Sequence, residues 1–380
     1  MVQLKRAVFI TNIPAHYRVA LIKSTSKKLK ERKISLTTIF SRLTYSRRDY
    51  WNINEDNLDI DYIVLNEKNS LSFKNKLYEI GLNTVKELKK INPEIIVAAG
   101  FSVQSMLVAS YCKKNNIPLI IYSGETNFTA ESYKKDFLRK IIRNKISNTV
   151  NGYVVYGTKA KEYIEKSFDT KGKQIYEVIN TVDTDAFREK LNKSENKERD
   201  KYIILFVGDL KKIKGVDLLI NAISHLSDDV KNKITVNLVG DGDGRNELEM
   251  LARQANLSNI NFIGKVNHDE ISSYYKNCDL FILPSTYEPF GLVLVEAAIS
   301  GKPLLASKFC GGAYDLIENG KNGYIIDPYD TKEFSVKIEE MIDFEKSKKY
   351  GKYSEMIIEK RVNIDVASDS FCKAILENII

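Results

Sequence analysis

Two glutamates and a glycine near residue 290 have the types and spacing to bind a phosphorylated sugar. Glu288 and Glu296 flank Gly291, which stands where a buried apolar run should give way to a helix. The first amides of a helix are unpaired and lie at the positive end of its dipole, so the Phe290–Leu292 amides suit a phosphate. Glu296, about one and a half turns inside that helix, could accept hydrogen bonds from two sugar hydroxyls. The arrangement suggests a nucleotide-sugar site.

The elements that must position these residues are a strand and a helix. Cys278–Leu283 is a continuous apolar run and predicts a strand buried on both faces. Leu292–Ser300 predicts a helix, which Gly301 should end and Pro303 cannot continue. The glycine between them would therefore lie at the carboxyl end of a parallel strand, where α/β sheets bind ligands.

Short apolar strands alternate with amphipathic segments along the whole chain, which is typical of parallel β-α-β units. The charged segment 188–201 has no strand pattern and has the composition of an exposed linker. We therefore expect an α/β protein with two doubly wound domains, residues 1–187 and 202–361. Residues 362–380 look helical and are expected to cross back onto the first domain.

Composition narrows the class of protein. The chain has 380 residues with 58 Lys/Arg and 50 Asp/Glu. Residues 1–150 contain 26 Lys/Arg and 13 Asp/Glu, which leaves 32 Lys/Arg and 37 Asp/Glu for the rest of the chain. The basic excess of that part leaves open nucleic acid, an anionic membrane, a phosphorylated substrate, or an ordinary lysine-rich surface. The four cysteines are far apart and form no metal-binding pattern. We expect a reduced, cytoplasmic protein without a zinc site.

Any membrane contact is expected to be peripheral. No run approaches the roughly 18 apolar residues of a membrane-spanning helix, and the run Ala7–Thr11 is too short for a signal peptide. Tyr133–Ser147 predicts a basic amphipathic helix with Phe137, Ile141 and Ile142 on one side. Such a helix could lie on the anionic inner face of the plasma membrane, and an ordinary helix packed on its sheet explains it equally well.

The segment from Glu288 to Glu296 resembles the paired glutamates, separated by seven residues, of the retaining glycosyltransferases of family 4. Other segments resemble the motifs of that family in the same order: Phe206–Leu210 with Lys214–Leu219, Val239–Gly242, Asn261–Gly264, Gly311–Ile317 and Asn322–Gly323. The resemblance implies the GT-B fold of two facing Rossmann-like domains, with the acceptor side in the first domain. It also implies a hexosyltransferase of bacterial surface-polysaccharide biosynthesis.

The resemblance also assigns roles to residues. Glu288 would face the donor sugar, and Lys214 would neutralise the departing phosphate, so both are catalytic candidates. The donor-binding candidates are Glu296, Phe290, Gly291, Leu292, Val293, Gly208, Lys211, Lys212 and Gly264. The co-substrate would be a nucleoside diphosphate sugar, with UDP favoured and GDP possible. Neither a cofactor nor a metal is expected, since cations and a helix N-terminus can stabilise the leaving diphosphate.

The chain departs from the family pattern at the phosphate strand. Asp209 follows the glycine where relatives commonly place an arginine, and a carboxylate there would repel a diphosphate. We expect Asp209 to point elsewhere and Lys211 and Lys212 to supply the missing charge. What replaces the usual arginine is left open by the sequence.

Three residues at predicted strand ends of the first domain are candidates for the acceptor side. His16 and Arg18 follow the first strand, and Glu125 follows the strand Leu119–Ser123. His16 could bind acceptor or donor, Arg18 a phosphate, and Glu125 an acceptor hydroxyl. Each could equally be a structural residue.

The predicted reaction is transfer of a hexose or N-acetylhexosamine, with retention, to a glycan acceptor that is plausibly lipid-linked. The acceptor hydroxyl would attack on the face from which the diphosphate leaves, and the leaving phosphate would take the proton. Nucleic acid is not an expected partner. The alternatives are a sugar-nucleotide epimerase or hydrolase on the same fold, and a non-catalytic nucleotide-binding partner, which Asp209 makes conceivable.

Overall fold

The structure is a computed structural model that describes residues 4–43, 58–65, 70–73, 76–79, 82–130, 137–195, 200–267 and 270–379. Its contacts divide the chain into two compact units. Unit 1 comprises the residues up to 179 together with those from 364 onward, and unit 2 comprises residues 180–363. The sequence-based boundary after residue 187 therefore falls inside unit 2.

Unit 1 is built on a parallel sheet. Its strands are β1 (Lys5–Thr11), β2 (Ile34–Phe40), β3 (Tyr62–Val64), β4 (Ser70–Phe73), β5 (Lys76–Glu79), β6 (Ile95–Ala99), β7 (Leu119–Ser123), β8 (Gly152–Val155) and β9 (Gln174–Glu177). Among the described residues, seven of these strands form the sheet in the order β3-β2-β1-β6-β7-β8-β9, while β4 and β5 pair antiparallel.

Helices cover both faces of this sheet. They are α1 (His16–Glu31), α2 (Leu82–Ile91), α3 (Val103–Asn115), α4 (Asn127–Ala130), α5 (Phe137–Ser147) and α6 (Thr158–Ser167). Side chains of β1 alternate between two buried cores, with Ala7 and Phe9 in one and Val8 and Ile10 in the other. An apolar run without polar alternation folds as a strand here because both of its faces are buried.

Unit 2 repeats this architecture with its own sheet. Its strands are β10 (Tyr202–Val207), β11 (Ile234–Val239), β12 (Ile260–Gly264), β13 (Leu280–Leu283), β14 (Leu304–Ser307) and β15 (Gly323–Ile326). All pair in parallel, in the order β12-β11-β10-β13-β14-β15. The prediction of two α/β domains with parallel sheets is confirmed.

The helices of unit 2 flank this sheet. They are α7 (Thr184–Lys193), α8 (Val216–Ser224), α9 (Asp228–Lys233), α10 (Arg245–Gln254), α11 (Ile271–Lys276), α12 (Leu292–Ile299), α13 (Ala313–Leu316), α14 (Thr331–Met341) and α15 (Phe344–Arg361). The last helix of the chain, α16 (Ile364–Leu376), belongs to unit 1. It packs on α1, where Lys28 pairs with Asp369 at 2.7 Å, and Phe371 meets Phe9 edge-on at 5.3 Å between ring centroids.

The segment predicted as a linker, residues 188–201, differs from that prediction in its first part. It continues α7, whose N-cap Asp183 accepts a hydrogen bond from the Ala186 amide at 3.1 Å. Phe187 is buried against the ring of Tyr275, at 5.8 Å between centroids. The charge of the segment suggested an exposed linker. The buried Phe187 ring and the capped N-terminus are enough to stabilise α7 as a helix whose charged face is exposed to solvent. Residues 196–199 lie outside the described residues.

Candidate active site

The turn between β13 and α12 brings helix amides to the carboxyl edge of the second sheet. Gly291 is the N-cap of α12 and has φ +91°, in the left-handed region. A Cβ at this position would lie 3.0 Å from both the Cys310 Sγ and the Leu283 Cδ2, so a larger residue would be strained and crowded. Because the N-cap residue has no side chain to offer, the Leu292 and Val293 amides are suited to an anion.

Phe290 fixes the position of this turn. Its side chain is buried, and its carbonyl accepts hydrogen bonds from the Gly312 amide and the Cys310 thiol, both at 2.9 Å. A Cβ on Gly312 would lie 2.5 Å from the Phe290 carbonyl oxygen, so the two backbones approach too closely for any other residue. The loop after β14 therefore supports the start of α12 from behind.

Glu288 and Lys214 form an ion pair immediately before this helix. The Glu288 Oε2 and the Lys214 Nζ are 2.5 Å apart, and the side chains are 14% and 22% exposed. Lys214 lies in a 3₁₀ turn, Lys212–Lys214, that follows β10. The Thr286 amide donates to the Ile213 carbonyl at 2.9 Å, which joins the two loops. The structure thus brings together the two residues predicted to be catalytic, although they are far apart in sequence.

Gly215 makes this approach of the two loops possible. It has φ +66°, and a Cβ there would lie 2.2 Å from the Pro284 carbonyl oxygen. The backbone after Lys214 therefore passes directly against the end of β13. A glycine at this position is required both by the backbone conformation and by the lack of space.

Glu296 lies on α12, and its Oε2 accepts a hydrogen bond from the Tyr275 hydroxyl at 2.7 Å. Burial raises the pKa of Glu296 to about 7, against the opposing effects of the Tyr275 hydrogen bond and the positive charge of Lys190. Tyr275 itself is fully buried, with its ring 5.8 Å from that of Phe187 and 5.6 Å from that of Phe281. One carboxylate oxygen is therefore held by a rigid neighbour while the other can bind a ligand.

The phosphate strand carries its charges differently from the prediction. The Asp209 carboxylate pairs with the Lys211 ammonium at 3.0 Å, and both side chains are about half exposed. Lys211, which was expected to supply the charge of the missing arginine, thus has its own charge partly offset by Asp209, while Lys212 is exposed to solvent. The Gly208 amide donates to the Val239 carbonyl at 3.0 Å and ties this strand end to β11. Of the three lysines here, Lys214 is the one directed to the start of α12.

Gly264 ends β12 with φ +84°, and its carbonyl accepts from the Gly240 amide at 2.9 Å. An Arg245 nitrogen lies 3.2 Å from where a Cβ on Gly264 would be. Arg245 is held by Glu249 at 2.8 Å and donates to the Phe262 carbonyl at 3.1 Å. The sequence analysis did not name Arg245 as a candidate site residue. Its position at the start of α10, directly after a glycine-rich turn, is the sequence feature that could have indicated it.

The acceptor candidates of unit 1 have distinct environments. His16 is the exposed first residue of α1, and Arg18, two residues later, is buried. Glu125 forms an ion pair with Arg143, which also donates to the Tyr163 hydroxyl. Burial raises the pKa of the Glu125 carboxyl against the lowering effect of Arg143. The Glu125 carboxylate is thus bound by an arginine, a contact that the sequence analysis did not predict.

Helix α5 carries the basic segment considered for membrane contact. Its described part, Phe137–Ser147, turns Ile146 into the core and packs Ile142 against it, whereas Phe137 and Ile141 are 73% and 46% exposed. The prediction had placed Ile142 on the same side as these two residues. Residues 133–136 of the predicted helix lie outside the described residues.

Two kinds of feature are absent from the described residues. No helix in this part of the chain combines the length and apolar character needed to cross a bilayer. Over the same ranges, no group of three or more His, Cys, Asp or Glu side chains is arranged to hold a metal ion.

The β13–α12 turn lies in a part of the chain that matches a known protein family. Residues 187–357 match the family described as "Glycosyl transferases group 1". An uncharacterized glycosyltransferase of Methanocaldococcus jannaschii is 36% identical over 177 residues, 44% of this chain and 45% of that protein. The alpha-D-kanosaminyltransferase of Streptomyces kanamyceticus is 32% identical over 163 residues, 43% of this chain and 42% of that protein. The chain thus spans less than half the length of these curated relatives.

Solved structures resemble the whole chain in fold. The sucrose-phosphate synthase of Thermosynechococcus elongatus is similar with a TM-score of 0.76 at 18% identity, over 98% of both chains. Anabaena HepE, solved in complex with UDP and glucose, is similar with a TM-score of 0.73 at 18% identity, over 98% of this chain and 100% of that one. At such identity the likeness establishes the fold, which is the GT-B fold expected from the sequence.

Proposed function

We propose that this chain, whose residues 187–357 match the group 1 glycosyltransferases, is a retaining hexosyltransferase. In this proposal it transfers a hexose or N-acetylhexosamine from a nucleoside diphosphate sugar to a glycan acceptor in cell-surface polysaccharide biosynthesis. The observation that carries the proposal is the Lys214–Glu288 ion pair at the N-terminus of α12, with Glu296 further along the same helix.

Lys214 and α12 supply the electrostatics that glycosyl transfer needs. As the bond to the donor sugar breaks, negative charge grows on the departing diphosphate. The Lys214 ammonium and the Leu292 and Val293 amides would lie beside that charge and stabilise it. Glu288 holds the ammonium in place and would itself face the sugar. With these groups in position, we expect no requirement for a metal or a cofactor.

Glu296 would bind the ribose of the donor. Its Oε2 is occupied by the Tyr275 hydroxyl, so Oε1 and the outer lone pair of Oε2 remain for the two ribose hydroxyls. An ionised carboxylate accepts both bonds and makes them charge-assisted. Since the pKa of Glu296 is about 7, donor binding should depend on pH in the neutral range.

Retention follows in this proposal from attack on the face that the diphosphate leaves. The leaving phosphate takes the proton of the acceptor hydroxyl, so no separate pair of acid and base is required of the protein. Glu288 is paired with a lysine and Glu296 with a tyrosine, which does not suit either for the proton transfers that paired carboxylates perform in glycosidases.

The donor base is proposed to be uracil, because structures of this fold such as Anabaena HepE have been solved with UDP. A thermal-shift screen of UDP, GDP, ADP and their sugars tests this directly, since a ligand that binds the folded state raises its melting temperature. UDP and a UDP-sugar should give the largest rise. A rise with GDP alone would replace uracil by guanine, and no rise with any nucleotide would refute the donor site.

Product analysis then separates transfer from the other activities. Incubation with the stabilising nucleotide sugar and a glycan acceptor should give a new glycoside with the anomeric configuration of the donor, as read by proton NMR. Release of free sugar only, or an epimerised nucleotide sugar, would show a hydrolase or an epimerase instead. Tight nucleotide binding without turnover of any donor would indicate a non-catalytic partner.

We further propose that unit 1 contacts an anionic membrane through α5 and that the acceptor is lipid-linked. Phe137 and Ile141 are exposed one helical turn apart, and Lys140 is exposed between them. Apolar side chains beside cations are the pattern of a helix that lies in a membrane interface. In liposome flotation, the protein should float with anionic vesicles at low salt, and a Phe137→Ser/Ile141→Ser variant should not. Equal flotation of both proteins would contradict this proposal.

A further inference from the structure

Unit 1 contains a buried arginine that has no acidic partner among the described residues. Arg18, on the first turn of α1, is 9% exposed. Its guanidinium donates to the Thr11 Oγ1 at 2.7 Å and to the Tyr156 hydroxyl at 2.6 Å, with the Tyr17 hydroxyl at 3.5 Å. All three partners are neutral hydroxyl groups, so the positive charge itself is not balanced.

Aromatic rings surround the same guanidinium. The Arg18 Cζ lies 5.6 Å, 5.4 Å and 6.0 Å from the ring centroids of Tyr17, Tyr122 and Tyr156. Ring faces attract a cation. Burial alone would lower the pKa of Arg18, but the electrostatic influence of the Tyr156, Tyr17 and Tyr122 side chains outweighs it and raises the pKa, so the side chain keeps its charge. The rings also fix the plane of the guanidinium.

Two other arginines of unit 1 have acidic partners. Arg143 pairs with Glu125, and Arg6 pairs with Glu94 at 3.2 Å. These two meet the usual requirement that a buried charge be paired, whereas Arg18 has no carboxylate partner among the described residues. A charge that is held in place but left unbalanced is suited to a partner from outside the chain.

Arg18 also lies at the place where sheets of this kind bind ligands. The sheet order runs from β1 to β2 on one side and to β6 on the other, so the connections diverge between β1 and β6. Ligands of doubly wound sheets bind at such a point, at the carboxyl ends of the strands. Thr11 ends β1 and Tyr156 directly follows β8, so Arg18 reaches across this edge.

The same edge has room for a ligand. Gly100 follows β6 with φ +74°, and no atom lies within 4 Å of where its Cβ would be. Gly124 follows β7, and a Cβ there would lie 2.2 Å from the Tyr156 ring, so only a glycine leaves room for this ring next to Arg18. Gly100 thus leaves open space at this edge, and Gly124 allows the tyrosine to take its position.

We propose that the acceptor carries an anionic group, a carboxylate or a phosphate, and that Arg18 binds it at this edge of unit 1. This inference rests on the proposed glycosyltransferase function and names the chemical class of its acceptor. A guanidinium offers five N–H donors in a planar fork, and Thr11 and Tyr156 take up only part of them. A tyrosine hydroxyl that accepts from Arg18 still has its own proton to donate to an anionic oxygen.

The test compares sugar probes that differ in charge, on the full-length protein. Methyl α-glucuronide and glucose 1-phosphate are the anionic probes, and methyl α-glucoside is the neutral one. Affinities are measured by NMR titration for the wild type and for Arg18→Gln, Arg18→Lys and Tyr156→Phe. Arg253→Gln is the control, since Arg253 is an exposed arginine of unit 2.

The wild type should bind at least one anionic probe more tightly than the neutral one. Arg18→Gln should weaken the anionic probe by about tenfold or more, since the lost bond is charge-assisted. Arg18→Lys should recover part of that loss, Tyr156→Phe should lose severalfold, and the control should be unchanged. Should Arg18→Gln prove misfolded by circular dichroism, the Lys and Phe variants decide, because they keep the charge or the ring.

Two results would overturn the inference. The first is equal binding of charged and neutral probes, or equal binding by the wild type and a folded Arg18→Gln. The second is a loss of UDP affinity in Arg18→Gln with unchanged binding of the anionic sugars, which would assign Arg18 to the donor phosphate. Failure of the donor site itself would appear separately, as UDP binding that is absent from the wild type.

Discussion

Unit 1 and unit 2 each hold a basic side chain at the carboxyl edge of a parallel sheet, and the two cations differ in their partners. In unit 2, Lys214 pairs with Glu288 beside the free amides of α12. In unit 1, Arg18 has hydroxyl groups and ring faces around it and no carboxylate partner within the described ranges. Lys214 can shift from Glu288 towards negative charge that develops on a substrate during a reaction. Arg18 is instead suited to an anion that carries its charge before it binds.

The two arrangements suit two kinds of substrate. A leaving diphosphate gains charge during the reaction, so a cation that is held by a carboxylate before the reaction can stabilise the transition state more than the ground state. A recognition site has no such need. It binds best when its charge is fixed and unbalanced, which agrees with the tyrosine cage around Arg18.

The first prediction removes the paired cation. Lys214→Ala should lower kcat by about 10²- to 10³-fold, the usual cost of losing one group that stabilises transition-state charge. Lys212 was a donor-binding candidate from the sequence, but in the structure it is exposed, in the same 3₁₀ turn as Lys214. Lys212→Ala is therefore the matched control and should retain nearly full activity. Both are checked by initial rates with saturating donor. Similar rates for the two variants would show that the position of the charge does not matter.

The second prediction concerns the carboxylate on α12. Glu296→Gln keeps the shape of the side chain but loses two charge-assisted hydrogen bonds to the ribose, and donor affinity should fall about 10- to 100-fold. Calorimetric titration with the nucleoside diphosphate measures it. Glu247→Gln, on the exposed start of α10, is the control and should bind as the wild type does. An undiminished affinity in Glu296→Gln would remove Glu296 from the donor site.

The third prediction concerns Arg143, an arginine of unit 1 that is paired with a carboxylate. Glu125→Gln leaves the Arg143 charge buried without a carboxylate, and the free energy of unfolding should fall by about 1–3 kcal/mol. Asp59→Asn breaks an exposed pair with Lys23 in the same unit and should cost much less. Urea denaturation compares them. Equal stabilities would mean that Arg143 needs its partner no more than Arg18 does, and the contrast between paired and unpaired arginines would lose its meaning.

The fourth prediction uses the pH dependence of Glu296. Its pKa is about 7, so donor affinity should fall as the pH decreases through 7 and the carboxylate is protonated. Tyr275→Phe removes a hydrogen bond that lowers this pKa, so the midpoint should move to higher pH. Calorimetric titrations between pH 5.5 and about 8.5 check both statements. A midpoint that is the same in both proteins, or that moves to lower pH, would contradict this role of Tyr275.

The sequence predicted the donor turn well because its signals are local. A buried apolar run, a glycine and a helix pattern follow one another within twenty residues, and β13, Gly291 and α12 occur where they were expected. The fold class could be predicted for the same reason, since each strand and helix has its own periodicity.

Contacts between distant segments could not be predicted in this way. Tyr275 meets Glu296, and Arg143 meets Glu125, only because packing brings different helices and loops together. Lys211 was expected to supply charge, and its pairing with Asp209 depends on a loop conformation that composition does not determine. The inward direction of Ile142 likewise depends on where α5 lies on the sheet.

The measurement that tests the donor site most directly is the binding of UDP to the wild type, Lys214→Ala and Lys212→Ala by calorimetric titration. We predict that the affinity of Lys214→Ala is about tenfold lower than that of the wild type, because a half-buried ammonium beside the phosphate is lost. Lys212→Ala should bind as the wild type does. Equal affinities in all three proteins, or no UDP binding by any of them, would contradict the assignment of the Lys214–Glu288 pair and α12 to the donor diphosphate.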